Sequence, residues 1–299
     1  IVGKDWVVTE KEEMLDYLSD ETSPIVCSKP AADTVLVKPG NTQEVSDVLK
    51  IANKEKLAVF PRGGGTGLVG GSVPTKKGII LSLERMDKII EVDVENLMVV
   101  VEAGVTLRKL LETVEKANLF FPLHPGDEAA QLGGLVACNA GGARAVRYGV
   151  MRNYVKGLEV VLPTGEILSL GGKLLKNTAG YDLMHLLIGS EGTLGVITKV
   201  TLKLYPKFKE TATLIIPYKI RHHAISSVPK ILQEGLPPLA LEYVDKELMK
   251  KSAEHLGKKW LVEKGNAYLM IIITGDNKEE VYSKAEKIDK RLERNNIRV

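Results

Sequence analysis

Cysteine is scarce in this chain: two in 299 residues, Cys27 and Cys138. That count excludes a disulfide framework and a cysteine-rich metal centre. Histidine is almost as rare, with five residues (His124, His185, His222, His223, His255) and no H-x-H pair. His222 and His223 are adjacent, so they point apart on a strand or a helix and make poor joint ligands. No metal site is therefore assigned. An excess of one charge sign is also missing: 41 basic against 38 acidic residues give +3. So balanced a surface does not suit a nucleic-acid partner. Long apolar runs are absent too; Leu269 to Ile273 is far too short to span a bilayer. No signal peptide is visible behind Ile1, and the expected location is cytoplasmic, with any membrane contact made through a partner. At this length two domains are expected.

Glycine, by contrast, is concentrated. Six glycines fall within nine residues in Phe60-Pro61-Arg62-Gly63-Gly64-Gly65-Thr66-Gly67-Leu68-Val69-Gly70-Gly71-Ser72. The stretch is pinned between an apolar run, Leu57 to Phe60, and a second strand, Gly78 to Leu83. Successive N–H groups around one concavity make an anion site, most often for phosphate. Gly65 to Gly70 formally fits G-x-G-x-x-G, but that fingerprint needs a helix to start inside it, and Gly70-Gly71 and Pro74 oppose one. The P-loop reading fails for want of Lys followed by Ser or Thr. What remains is a loop that clamps a pyrophosphate with its own amides. Arg62 either adds charge to it or is an ordinary surface residue.

Around this loop the periodicities alternate. Thr34 to Pro39 reads as a strand. Asn41 caps a helix, with Glu44 as its capping-box partner and Val45, Val48, Leu49 and Ala52 on one face. A hairpin follows around Glu95-Asn96, then a helix over Thr106 to Asn118 and a second hairpin around Pro163-Thr164-Gly165. Leu194 to Leu204 is a long strand, and Tyr205-Pro206 is the domain boundary, separating 1–205 from 206–299. Beyond it come strands at Thr211 to Ile216, Leu239 to Val244 and Tyr268 to Thr274. Helices at Lys246 to Leu256 and Lys278 to Arg294 complete an α+β layer. Arg298-Val299 reads as the start of another strand, so the chain is expected to stop in mid-domain.

Four ordered motifs carry a family resemblance. The first is the strand and loop at Pro61 to Leu68. The second runs from Pro125-Gly126-Asp127-Glu128 into Gly133-Gly134-Leu135-Val136-Ala137-Cys138-Asn139-Ala140-Gly141-Gly142. The third is Lys176 to Leu183, and the fourth Gly189 to Thr198. Together they resemble the PCMH-type (vanillyl-alcohol-oxidase-type) FAD-binding flavoproteins, on the branch of D-lactate dehydrogenase, the glycolate oxidase large subunit and D-2-hydroxyglutarate dehydrogenase. The resemblance is strong over about Thr34 to Pro206. It implies an α+β fold: an FAD-binding domain of two α/β subdomains, followed by part of an α+β cap.

It also implies FAD. Pro61 to Leu68 and Ser72 suit the pyrophosphate. Pro125 and Gly126 are cofactor-binding candidates by their motif, and Gly133, Gly134, Gly141 and Gly142 suit close approach of the flat ring, or close packing of backbone on backbone. Asn139 is a cofactor partner or the anchor of a turn. Glu191, in a Gly-rich turn before the long strand, is a cofactor-binding candidate, and the backbone around Gly195, Val196 and Ile197 is expected near the pyrimidine edge of the flavin or the adenine portion. Tyr181 and Asp182 either take a role in the third motif or are simply a packed ring and a helix cap, and His124 faces the ring or is structural. The Gly loop carries no His and the Gly126 region no Cys, so non-covalent FAD is expected. The implied reaction is oxidation of a 2-hydroxy acid, with electrons passed to a quinone, an electron-transfer flavoprotein, an iron–sulfur subunit or oxygen. The implied base and metal ligands belong to late motifs beyond Val299, so no catalytic residue is named. Two alternatives are an electron-transfer or scaffold subunit without substrate chemistry, and another enzyme on the same fold.

Overall fold

A computed structural model describes residues 1–233, 235, 237–260 and 262–293. The chain divides into two compact units, 1–140 with 150–206, and 141–149 with 207–299. The first holds two sheets. β1 (Val7–Val8), β2 (Thr34–Val37), β3 (Ala58–Arg62) and β4 (Gly78–Ser82) lie in the order β1-β2-β4-β3, with β2 and β3 parallel to β4 and β1 antiparallel to β2. α1 (Thr42–Lys54) crosses between β2 and β3. The Asn41 side chain accepts the Glu44 N–H. The Glu44 carboxylate closes back one residue earlier than the capping box predicts, on the Gly40 N–H at 2.7 Å. The apolar face of α1 is as read: Val45, Val48, Leu49 and Ala52 are buried with Val37, Ile79 and Leu81.

The second sheet begins with the hairpin β5 (Ile89–Asp93) and β6 (Met98–Glu102). α2 (Leu107–Lys116), capped by the Thr106 hydroxyl, and β7 (Leu119–Phe120) follow. After α3 (Leu132–Ala137) and α4 (Ala145–Tyr148) come β8 (Val155–Val161), β9 (Ile167–Gly171), α5 (Leu183–Leu187) and β10 (Val196–Lys203). The antiparallel order is β5-β6-β10-β8-β9, and β11 (Tyr205–Pro206) pairs with β7. Ala103, Val161 and Val196 join the core of the first sheet, so one apolar layer runs through both.

In the second unit β12 (Glu210–Tyr218), β13 (Ala240–Asp245) and β14 (Ala267–Gly275) form an antiparallel sheet in the order β12-β14-β13. α6 (Arg221–Leu232), α7 (Lys246–His255) and α8 (Lys278–Glu293) are its helices. Ile216, Leu269, Ile271 and Ile273 pack with Ala224 and Ile231 of α6 and with Val281, Ile288 and Leu292 of α8. Arg294 and the strand expected at Arg298-Val299 lie outside the described residues. Among the described residues no helix is long and apolar enough to cross a membrane.

The segment before β2 carries no readable periodicity, yet it is firmly tied down. A 3₁₀ turn, Lys11–Tyr17, buries Met14 against Leu36 and Ile80. The Glu84 carboxylate meets Lys38 Nζ at 2.7 Å, the Tyr17 hydroxyl at 2.8 Å and the Ser82 hydroxyl at 3.0 Å. Burial opposes the charged form of Glu84, but the bonds from Lys38, Tyr17 and Ser82 outweigh it and hold the pKa below the usual carboxylate value. A depressed carboxylate contributes stability above its ordinary pKa and loses it as pH falls through the lowered value. Tyr17, through burial first, and Lys38, whose bonds to Glu84 and Tyr17 outweigh burial, are both raised. Their contribution is present below pH 10 and lost as pH rises through the raised values (ordinary values about 10 and 10.4). Thermal melts should therefore show Glu84→Gln below the wild type at pH 7, with the gap closing below about pH 4. A gap independent of pH would assign the loss to packing instead.

Candidate cofactor-binding site

The residues between β3 and β4 form no helix. Six consecutive main-chain amides, those of Gly63, Gly64, Gly65, Thr66, Gly67 and Leu68, donate to no acceptor among the described residues. So long a run of unpaired N–H groups is rare in a folded chain unless water or a ligand takes them. The loop is held from behind. Arg62 donates to the carbonyls of Asp16 and Ser19, each at 2.7 Å, and to the Ser72 hydroxyl at 3.2 Å. The Glu21 N–H bonds to the Gly67 carbonyl, and the Thr22 hydroxyl accepts the Gly70 N–H.

Arg62 is thus no surface residue. It is 7 % exposed, and burial lowers its pKa while Asp20 and Tyr17 counter the shift. Gly65 has φ +71°, and a Cβ there would lie 2.2 Å from Arg62 Nη2, so both conformation and space require glycine. Sequence reasoning missed the N-terminal segment altogether. Its grip uses mainly backbone carbonyls and amides, which leave no residue-type signal.

Opposite the loop stands α3, and its two glycines differ. A Cβ on Gly133 would lie 2.7 Å from the Ala103 Cβ, which is the packing role. A Cβ on Gly134 would meet nothing within 4 Å. A glycine inside a helix costs about 1 kcal/mol against alanine, and no neighbour of Gly134 accounts for it. The Cβ position of Gly63 lies 3.7 Å from the Gly134 Cα and 3.6 Å from Gln131 Oε1. Gln131 Oε1 and Asp20 Oδ2, the latter 3.5 Å from the Cβ position of Gly67, are buried oxygens without partners.

The fourth motif is laced to the end of α3. Asn139 has φ +48°; its N–H bonds to the Val136 carbonyl and that of Ala140 to the Leu135 carbonyl, a Schellman cap. Its Oδ1 accepts the Arg152 N–H at 3.0 Å, which anchors the turn and leaves the Nδ2 donors for a ligand. Glu191, at φ +52°, donates its N–H to the Ala137 carbonyl. A Cβ on Gly192 would sit 3.3 Å from Pro61, and one on Gly195 would sit 2.7 Å from Val160. Val196 and Ile197 are buried in β10. A cleft of about 460 Å³ collects Pro61, Val161, Gly192, Thr193, Gly195 and Val196.

The chain bends at Gly126, after Pro125, and a Cβ on Gly126 would meet nothing within 4 Å. His124 Nε2 lies 4.0 Å from the Glu128 carboxylate. Gly141 and Gly142 fall in the segment that clusters with the second unit. Asp182 caps α5 through the His185 N–H at 3.1 Å, a bond that lowers its pKa, and its other oxygen meets His185 Nδ1 at 2.6 Å. Tyr181 is 96 % exposed, which overturns the packed reading of that ring. Among the described residues no three His, Cys, Asp or Glu side chains converge as a metal site. His222 and His223 open α6 with ring centroids 6.4 Å apart.

Comparison with known families decides what the loop belongs to. The FAD binding domain model matches residues 34–171, and that of the FAD linked oxidases, C-terminal domain, matches 207–299. The chain belongs to the PCMH-type FAD-binding flavoproteins. Among relatives of this flavoprotein, D-lactate dehydrogenase of Archaeoglobus fulgidus is 45% identical over 91% of this chain and 61% of its own. The Bacillus subtilis glycolate oxidase subunit GlcD is 41% identical over 76% of this chain and 48% of its own. The chain thus spans about half to three-fifths of these relatives' length. A crystallised alkyldihydroxyacetonephosphate synthase shares the fold (TM-score 0.80, 21% identity, 98% of this chain and 58% of that one).

The residues present fit FAD. In the flavoprotein the amides from Gly63 to Leu68 would hold the pyrophosphate oxygens, and bare Gly134 would admit close approach beside them. The unpartnered Gln131 oxygen lies at the same place.

Proposed function

We propose that this chain is the FAD-binding part, with some of the cap, of an oxidoreductase that oxidises a 2-hydroxy acid such as D-lactate or glycolate. Residues 1–205 are taken as the FAD domain and 206–299 as an incomplete cap. The observation that carries the cofactor half is the row of six unpaired amides from Gly63 to Leu68. The substrate class rests on the relatives named D-lactate dehydrogenase and glycolate oxidase subunit. Bound FAD would supply a hydride acceptor at N5 for the substrate α-carbon, with the hydroxyl proton passing to a base. The chain's own residues bind and orient: the loop amides fix the phosphates, Arg62 fixes the loop, and Gly134 keeps side-chain atoms out of the ligand's way. Attachment is taken as non-covalent, and the electrons go to a separate acceptor, a quinone, an electron-transfer flavoprotein or an iron–sulfur subunit.

The test is an anaerobic visible spectrum of FAD-loaded protein, before and after D-lactate, L-lactate, glycolate or D-2-hydroxyglutarate, followed by acid precipitation. Bleaching by one acid, with all flavin then released to the supernatant, is the expected result. Flavin that bleaches with none of them favours an electron-transfer subunit. Failure to take up FAD even on reconstitution overturns the proposal.

A further inference from the structure

The Gln131 side chain has no role in the fold that its surroundings explain. The backbone around it is fully used: the Leu107 N–H bonds to the Ala130 carbonyl, the Leu132 N–H to the Val105 carbonyl, and Gln131 itself bridges Thr106. Its carboxamide is what stands idle. The residue is 9 % exposed, and Oε1 is buried with no hydrogen-bond donor in reach. Buried polar atoms are nearly always paired, and each exception asks for an explanation. This one points at the mouth of the amide loop, 3.6 Å from the Cβ position of Gly63, with Gly134 alongside. Neither glycine offers a side chain to satisfy it.

The chemistry of the missing partner follows from the type of atom. A carbonyl oxygen accepts and cannot donate. Pyrophosphate oxygens also only accept, and the loop amides already suit them. The donor must come from the part of the ligand next to the phosphates, and in FAD the chains flanking the pyrophosphate carry hydroxyls. We propose that Gln131 is a cofactor-binding residue whose carbonyl accepts a hydrogen bond from a sugar or sugar-alcohol hydroxyl adjoining the pyrophosphate. The inference rests on the FAD reading above and adds to it a recognition element for the hydroxyl-bearing chain. The terminal amide torsion is broad, so the group turns toward a ligand at little cost.

The experiment compares the 299-residue chain with Gln131→Met, of similar length and without the amide. FAD is titrated into apoprotein by fluorescence, inorganic pyrophosphate is measured as a competitor, and the apoprotein is melted. Gln131→Met should bind FAD about tenfold more weakly. Its pyrophosphate inhibition constant should stay within about twofold of wild type, since that ion has no sugar hydroxyl. The apoprotein should melt at the same temperature or higher, because a buried orphan is gone. Unchanged FAD affinity would overturn the assignment. Equal weakening toward both ligands would place an amide N–H on the phosphate instead and overturn it too. A lower apoprotein melting point with parallel losses would make the residue structural. Wild-type protein that binds no FAD would sink the cofactor reading itself, a separate result visible before any variant is made.

Discussion

Gly134→Leu is expected to give a protein that melts no lower than the wild type and carries little or no flavin. Gly134 sits in α3 without a left-handed backbone angle, and a Cβ there would meet nothing within 4 Å. The apo fold thus accepts a Cβ at this position, and exchanging a helical glycine for alanine stabilises by roughly 0.5–1 kcal/mol. A ligand lying on the loop beside Gly63 would lose that space. Overpacking of about 1–3 kcal/mol corresponds to a loss of roughly 5- to 150-fold in FAD affinity. Differential scanning fluorimetry of the apoprotein and an FAD titration separate the two effects. Wild-type affinity in this variant would mean that the cofactor does not approach this face. Gly133→Ala is the control with the opposite signature, since its Cβ would press on Ala103 at 2.7 Å and lower stability directly.

Arg62→Met should cost roughly 3–5 kcal/mol of stability, because the guanidinium is buried and each bond to a charged donor is worth about 1.5–3 kcal/mol. The carbonyls of Asp16 and Ser19 would be left without that donor, and the Ser72 hydroxyl would lose its tie. Denaturant melts should show a lowered midpoint, and limited proteolysis should open the segment 10–22 first. If the midpoint holds while FAD binding is lost, Arg62 serves the ligand and not the loop. Gly65→Asp is a poorer probe of the same loop, since its Cβ would collide with Arg62 Nη2 at 2.2 Å and break the fold along with the site.

The elements that the sequence made legible are those with a local signal. Asn41 caps its helix as expected, the helix expected from Thr106 begins one residue later with Thr106 as its cap, and the hairpin strands Ile89–Asp93 and Met98–Glu102 fall where the alternation put them. The Gly loop and its lack of a helix followed from glycine spacing and Pro74. What was not legible depends on neighbours distant in sequence. Gly133 and Gly134 are the same letter twice, and only Ala103, some thirty positions earlier, separates a packing glycine from an open one. Arg62 looked like a charge at a loop because nothing in its own motif announces two carbonyls more than forty residues upstream. Asn139 anchors its turn through the Arg152 amide thirteen residues on, a partner its own motif does not name.

The membership of 141–149 in the second unit has a consequence for synthesis on the ribosome. These nine residues emerge early, but the hydroxyl that Arg147 meets at 2.8 Å belongs to Thr274, 127 residues later. Contacts of such separation form late and slow folding. The Met151 N–H can meet the Ala140 carbonyl across the base of this insert long before Thr274 is made. A nascent chain released at Pro206 would lack the Thr274 tie for good, and cleavage near Arg147 should be faster in it than in the 299-residue chain.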